Sequence, residues 1–265
     1  MLLRLLGATI RAGLVFLTIL MPTAMLTSGF GDISLFSIVL AVFASSVIFA
    51  EYLVEVPAVL EFRYASPYNR LRFLVVITLT LVVARGVRDG LVLQEVSGVL
   101  GWLEAMSGRM FSGWLSPVDL LDQAMNYGTG AVGHNMHNIA SFALLVSIFS
   151  CCFIGVWLWT GPWPLSQDGF NLWPNMPSFS VRAGQRAAVS MSRIAILSFT
   201  LAISLPFILP FFIGFGRVYL GLDYSNSPLT SFWIVFFWAV IPAMALVRTI
   251  ALLKLAFLAE NLRKF

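Results

Sequence analysis

Six long apolar runs dominate this chain, at residues 12–28, 33–53, 73–93, 139–160, 194–215 and 230–253, and each is continuous, with no alternation of polar and apolar positions. A bilayer core about 30 Å thick takes roughly 20 mostly apolar residues per helical crossing. Backbone polar groups in lipid must pair internally, which leaves helices or closed barrels, and continuous runs select helices. The expected fold is therefore all-α: a polytopic integral membrane protein, a bundle of about six transmembrane helices forming a single transmembrane domain over residues 1–265. Composition closes the argument. With 59% hydrophobic and 11% charged residues among 265, the chain lacks the polar side chains to cover a soluble globule of this size.

The cations set the expected threading. Arg4 and Arg11, then Arg63, Arg70 and Arg72, then Arg182, Arg186 and Arg193, then Lys254, Arg263 and Lys264 fall on one side of a six-span path. They are eleven of the 16 Lys and Arg residues. The positive-inside rule makes that side cytoplasmic, so both termini are expected there. The first run follows Arg4 and Arg11 as a signal peptide would, but Pro22 interrupts it and no small-x-small site follows, so cleavage is not expected. Arg over Lys usage points to a bacterial cytoplasmic (inner) membrane. A net charge of +4 placed this way belongs to a membrane protein's inner skirt, and nucleic acid is not an expected partner.

Two segments outside the runs have patterns of their own. In 94–138, Val99, Leu100, Leu103, Met106 and Met110 recur at helical spacing opposite Glu95 and Glu104, an amphipathic interfacial helix in the outer loop. Trp102 and Trp114 suit that level. Ser116-Pro117-Val118-Asp119 then reads as a helix start, with Ser at the N-cap and Asp near the positive end of the dipole. In 161–193, Trp163 and Trp173 sit in a stiff Pro-rich stretch. Trp163, Trp173, Trp102 and Trp114 are the candidate partner-docking residues.

Few residues could carry chemistry. Glu51 and Glu55 lie one helical turn apart at the end of the second run, and two such carboxylates repel, so they call for a cation, a shared proton or an arginine. Only twelve residues separate Arg72 from Arg85, placing Arg85 at lipid depth, where it either snorkels and pairs with its i,i+4 neighbour Asp89 or anchors an acidic group on a partner helix or an anionic lipid headgroup. Arg248 is a further cation inside the last run, with Glu51 or Glu55 as a counter-ion if it turns inward. His134 and His137 could share a metal with Asp119 or Asp122, but a short HxxH with no further close ligand reads as a polar helix entrance. Cys151 and Cys152 are adjacent and read as packing residues. Pro206, Pro210 and Pro242 interrupt the last two runs.

No phosphate-binding loop, dinucleotide fingerprint, HExxH or GxSxG motif is present, so no cofactor, metal or catalytic residue is assigned. The expectation is a non-enzymatic accessory, assembly or scaffold subunit of a larger membrane complex. Its partners would be membrane lipids and other integral subunits or further copies of the chain. The alternative is a small transporter or an ion- or proton-conducting protein using Glu51 and Glu55.

Overall fold

The computed structural model describes residues 2–27, 34–54, 60–63, 65–92, 98–125, 131–164, 175, 187–222, 224 and 227–261. Among them every regular element is helical: α1 (Leu2–Leu26), α2 (Leu35–Leu53), α3 (Ser66–Val87) with a π turn (Arg88–Val92), α4 (Gly98–Met110), α5 (Pro117–Met125), α6 (Ala131–Thr160), α7 (Ala187–Leu220) and α8 (Pro228–Asn261). Five of these, α1, α2, α6, α7 and α8, are long and apolar enough to span a membrane, which points to an integral membrane protein. The run expected at 73–93 is helical but is not among the five. Arg70 and Arg72 stand in its first turns and Arg85 follows, leaving twelve uncharged residues, about 18 Å of helix. At 34 residues each, α7 and α8 reach about 50 Å, well beyond the apolar runs that mark them in the sequence.

The chain forms two compact units: Met1–Leu74 with Ile154–Ala195 and Ile250–Phe265, and Val75–Phe153 with Ile196–Thr249. In the first, α1 and α2 pack antiparallel. The Thr23 hydroxyl donates to Ser37 Oγ at 2.9 Å near one end, and the Arg11 guanidinium lies 4.6 Å from the Tyr52 ring centroid near the other.

In the second unit α6 and α8 run parallel with small residues between them. Ala143, Ser147 and Cys151 recur every four positions on α6, as do Ala239 and Ala243 on α8, and all five are buried. Ser147 Oγ reaches within 3.5 Å of Ala239 O, and Cys151 Sγ within 3.5 Å of Ala243 O. Such spacing lets backbones approach where lipid supplies no hydrophobic drive between helices. Cys151 is thus a packing residue with a free thiol; Cys152, also free, is exposed.

The prolines of α7 leave carbonyls without helical donors, and one of these is answered from α8. Pro210 has no N–H, so the carbonyl four residues earlier, that of Pro206, loses its usual partner. The buried Trp238 indole donates to Pro206 O at 2.9 Å. An unmet carbonyl is costly in an apolar setting, so this bond fixes the pairing of α7 with α8. Trp238→Phe should lower unfolding free energy by about 1–3 kcal/mol beyond the loss of ring volume. Trp233, whose indole N–H finds no acceptor among the described residues, is the control. Thermal unfolding in detergent should show Trp238→Phe clearly less stable than Trp233→Phe.

Candidate functional site

The paired ionisable side chains Arg85, Asp89, Glu104, Asp119 and His137 lie in the second unit, where α4 meets α3, α5 and α6. Helix α4 turns its small and polar positions inward: Gly101, Glu104, Ser107 and Gly108 are buried, at the three- and four-residue spacing of one face. The close approach depends on glycine. A Cβ at Gly108 would stand 1.9 Å from Asn138 Oδ1, and one at Gly86 on α3 would stand 2.9 Å from Ile139 Cγ1. The opposite face of α4, with Val99, Trp102, Met106 and Met110, is exposed.

This inversion buries a carboxylate. Glu104, only 2% exposed, accepts from Arg85 Nη1 at 3.0 Å, while Arg85 Nη2 lies 2.8 Å from Asp89 Oδ2. One guanidinium thus serves two acids. Burial pushes the Glu104 carboxyl up to about 6, with Arg85 opposing and Asp89 reinforcing the rise. Beside it, Asn135 Nδ2 donates to Gly90 O in the π turn at 3.2 Å.

His137 closes the other end of α4. Its Nε2 lies 3.2 Å from Gly108 O, a group that only accepts, so that nitrogen carries a hydrogen. Its Nδ1 lies 3.2 Å from Asp119 Oδ1, and the second Asp119 oxygen accepts from Gly113 N at 2.7 Å. Asp119 is held at the start of α5, where Val118 N donates to Ser116 Oγ at 3.2 Å, as the Ser-Pro-Val-Asp pattern anticipates.

In the first unit the focus is Arg63, buried between α2 and α3. Its Nη1 donates at 2.6 Å to both Glu51 O and Val54 O, and Nη2 reaches Tyr52 O at 3.4 Å. The guanidinium therefore caps the C-terminus of α2, where carbonyls lack helical partners and carry the negative end of the dipole. The Glu51 carboxylate, also buried, accepts from Leu60 N at 3.0 Å. The turn that delivers Arg63 has Phe62 at φ +60°, a conformation that costs a bulky residue energy. It is held because Phe62 N donates to Asn175 O, Ala65 N and Asn69 Nδ2 donate to Phe62 O, and the Phe62 ring packs edge-on to Tyr68 at 5.0 Å. Lys254 does for α6 what Arg63 does for α2. Its ammonium donates to Leu158 O and, at 2.9 Å, to Gly161 O.

The residues singled out by sequence are distributed as follows. Arg85 and Asp89 come together, and Glu104 joins them. Arg248 donates to Ser198 Oγ at 2.8 Å. Glu51 lies beside Arg63, whose guanidinium engages its backbone oxygen; Glu55 and Trp173 lie outside the described residues, as does the His134 side chain. Trp163 is 7% exposed and stacks on Tyr68 at 5.5 Å, whereas Trp102 is exposed and Trp114 is 88% exposed. Asp119 does meet His137, but no group of three or more His, Cys, Asp or Glu suited to a metal occurs among the described residues. Sequence reasoning missed the burial of Glu104; the signal was present in Gly101, Ser107 and Gly108, small residues sharing its face. It also missed that Lys254 and His137 cap helix ends.

Comparison with protein-family models, curated proteins and solved structures gives no match.

The Glu104 carboxyl yields a pH signature. Its folded value, about 6, lies above the ordinary 4.5, so the folded chain binds the proton more tightly than the unfolded one. Stability from this group is present below about pH 4.5 and is lost as pH rises through 6, a change of about 2 kcal/mol. Glu104→Gln keeps an acceptor for Arg85 and removes the titration. The wild-type minus Glu104→Gln difference in unfolding free energy should therefore favour the variant at pH 7.5 and shrink by about 2 kcal/mol toward pH 4.5. A difference that does not move with pH contradicts the assignment.

Proposed function

We propose that this protein is a non-enzymatic accessory, assembly or scaffold subunit of a larger membrane complex, resident in a bacterial cytoplasmic membrane. In this reading α3 is the sixth crossing. Its Arg85 is tolerated at depth because Asp89 and Glu104 answer its charge. Both termini are then cytoplasmic by the arginine bias. Helix α4 lies in the outer interface, its apolar face toward the acyl chains and its polar face against the protein.

One observation carries the reading: Arg63, Arg85, Arg248 and Lys254, all buried or half-buried, are engaged by the chain's own backbone and neighbours, while broad apolar faces stay uncovered. Arg63 and Lys254 serve helix-end carbonyls, Arg85 serves two acids and Arg248 serves Ser198. By contrast, Phe36, Val39, Phe43 and Ser46 on α2 and Phe211 and Phe212 on α7 face outward. Only 17% of the α2 spanning window is buried within this chain, against 56% for α8. In a subunit such faces receive helices of other proteins, and Ala44, Ser45 and Ser46 allow close approach on α2. A photo-crosslinker at Phe43 should capture one integral membrane polypeptide that also co-purifies stoichiometrically in mild detergent. A monodisperse lone monomer giving only lipid adducts would overturn the proposal.

A proton-conducting role is favoured by one feature, the buried Glu104 carboxyl that titrates near 6 beside Arg85. It relocates the transport reading from Glu51 and Glu55 to the α3–α4 contact. Reconstituted vesicles should then acidify under an imposed gradient at a rate that Glu104→Gln lowers at least ten-fold, with Glu51→Gln little changed. Equal leak in wild type and empty vesicles discards this reading.

A further inference from the structure

We propose that Arg11, Arg72 and Tyr52, in the first unit, form a binding site for the phosphate headgroup of an anionic phospholipid. Three elements supply the site: Arg11 from α1, Tyr52 from the last turn of α2, and Arg72 from the second turn of α3. The Arg11 guanidinium lies over the Tyr52 ring at 4.6 Å, and the Arg72 guanidinium lies over the neighbouring Tyr68 ring at 5.4 Å. The buried Arg63 stands 5.7 Å from the Tyr52 centroid. The charges of Arg11, Arg63 and Arg72 all act on the Tyr52 phenol.

The donors that remain define the ligand. A guanidinium stacked on a ring uses its face and leaves its in-plane N–H groups free for oxygen acceptors. Arg11 uses one of them on Gly7 O at 2.8 Å, and no described residue accepts from Arg72. The Tyr52 hydroxyl likewise has no partner among the described residues and is half-buried. N–H donors of two guanidinium groups and the O–H of a phenol match a phosphate, which offers several acceptor oxygens and takes two guanidinium edges at once.

The surroundings select the lipid form over the free ion. Tyr52 closes a helix apolar enough to cross a membrane, and Arg11 lies inside another. Ile10 and Leu14 beside Arg11, Leu53 and Val54 after Tyr52, and Leu74 after Arg72 are all exposed apolar side chains. A headgroup held by the arginines would lay its acyl chains along them, whereas inorganic phosphate gains nothing there. Charge alone is not the argument, since Arg4, Arg70 and Arg193 are also exposed in this unit with no aromatic seat among the described residues.

Native mass spectrometry of the full chain in neutral detergent tests this directly, with phosphatidylglycerol and phosphatidylcholine added in turn. Wild type should retain phosphatidylglycerol over phosphatidylcholine. Arg11→Gln with Arg72→Gln should lower that retention about ten- to thirty-fold. Arg70→Gln with Arg193→Gln, which removes the same charge, should change it less than three-fold. Tyr52→Phe keeps the ring and the fold and should cost a smaller factor, about three-fold, which keeps the test valid should the double arginine variant unfold. Equal losses in the two double variants, or no preference for phosphatidylglycerol, overturn the proposal. Displacement of the lipid by millimolar inorganic phosphate overturns it in favour of a soluble-phosphate site.

Discussion

Backbone carbonyls that helices cannot satisfy themselves are the central problem of this molecule, and side chains from elsewhere in the chain satisfy them. Each helix leaves its last carbonyls without internal donors, and each interior proline removes one more donor. In apolar surroundings water is not there to compensate. Arg63 caps α2, Lys254 caps α6, His137 caps α4 and Asn135 caps the π turn after α3. Trp238 answers the carbonyl that Pro210 leaves open. Four of these five donors come from an element other than the one they cap and Arg63 from the turn beyond it, so each bond satisfies an acceptor and also fixes where two segments meet.

The same economy explains the charges. A buried cation in a membrane protein is costly unless its donors are occupied. Arg63 and Lys254 meet that demand with carbonyl oxygens, which carry partial charge and themselves need partners. Arg85 meets it with two carboxylates, and the cost passes to Glu104, whose burial outweighs the attraction of the guanidinium and lifts its carboxyl to about 6. Glu104 is thus the least comfortable ionised group in the α3–α4 contact. Arg11 and Arg72 differ in kind: each is seated on an aromatic ring and keeps N–H groups that no described residue accepts, with Arg11 exposed and Arg72 half-buried.

Much of the architecture is legible in the sequence because hydrocarbon length imposes it. The runs that become α1, α2, α6, α7 and α8 stand out without any tertiary information, and the Ser-Pro-Val-Asp start of α5 is visible because capping is local. The Arg85–Asp89 pair is legible for the same reason, since i,i+4 neighbours meet on any helix. Less legible is α4. Its periodicity announces an amphipathic helix, but amphipathicity does not say which face meets protein, and here the face bearing Glu104 does. Trp163 reads in sequence as a partner-docking aromatic, yet its ring lies buried against Tyr68, a partner ninety-five positions away.

What the sequence determined by itself is the solvent: runs of this length and apolarity commit the chain to helices in lipid, because any other backbone arrangement there would strand polar groups. What only the tertiary structure decided is which polar groups find one another. Which helix-end carbonyls Arg63 reaches, whether Glu104 faces water or Arg85, and which indole reaches Pro206 all depend on rotations and approaches of a few ångströms between distant segments. Hydrophobic periodicity is insensitive to those, because it records how apolar a face is and not what stands opposite it.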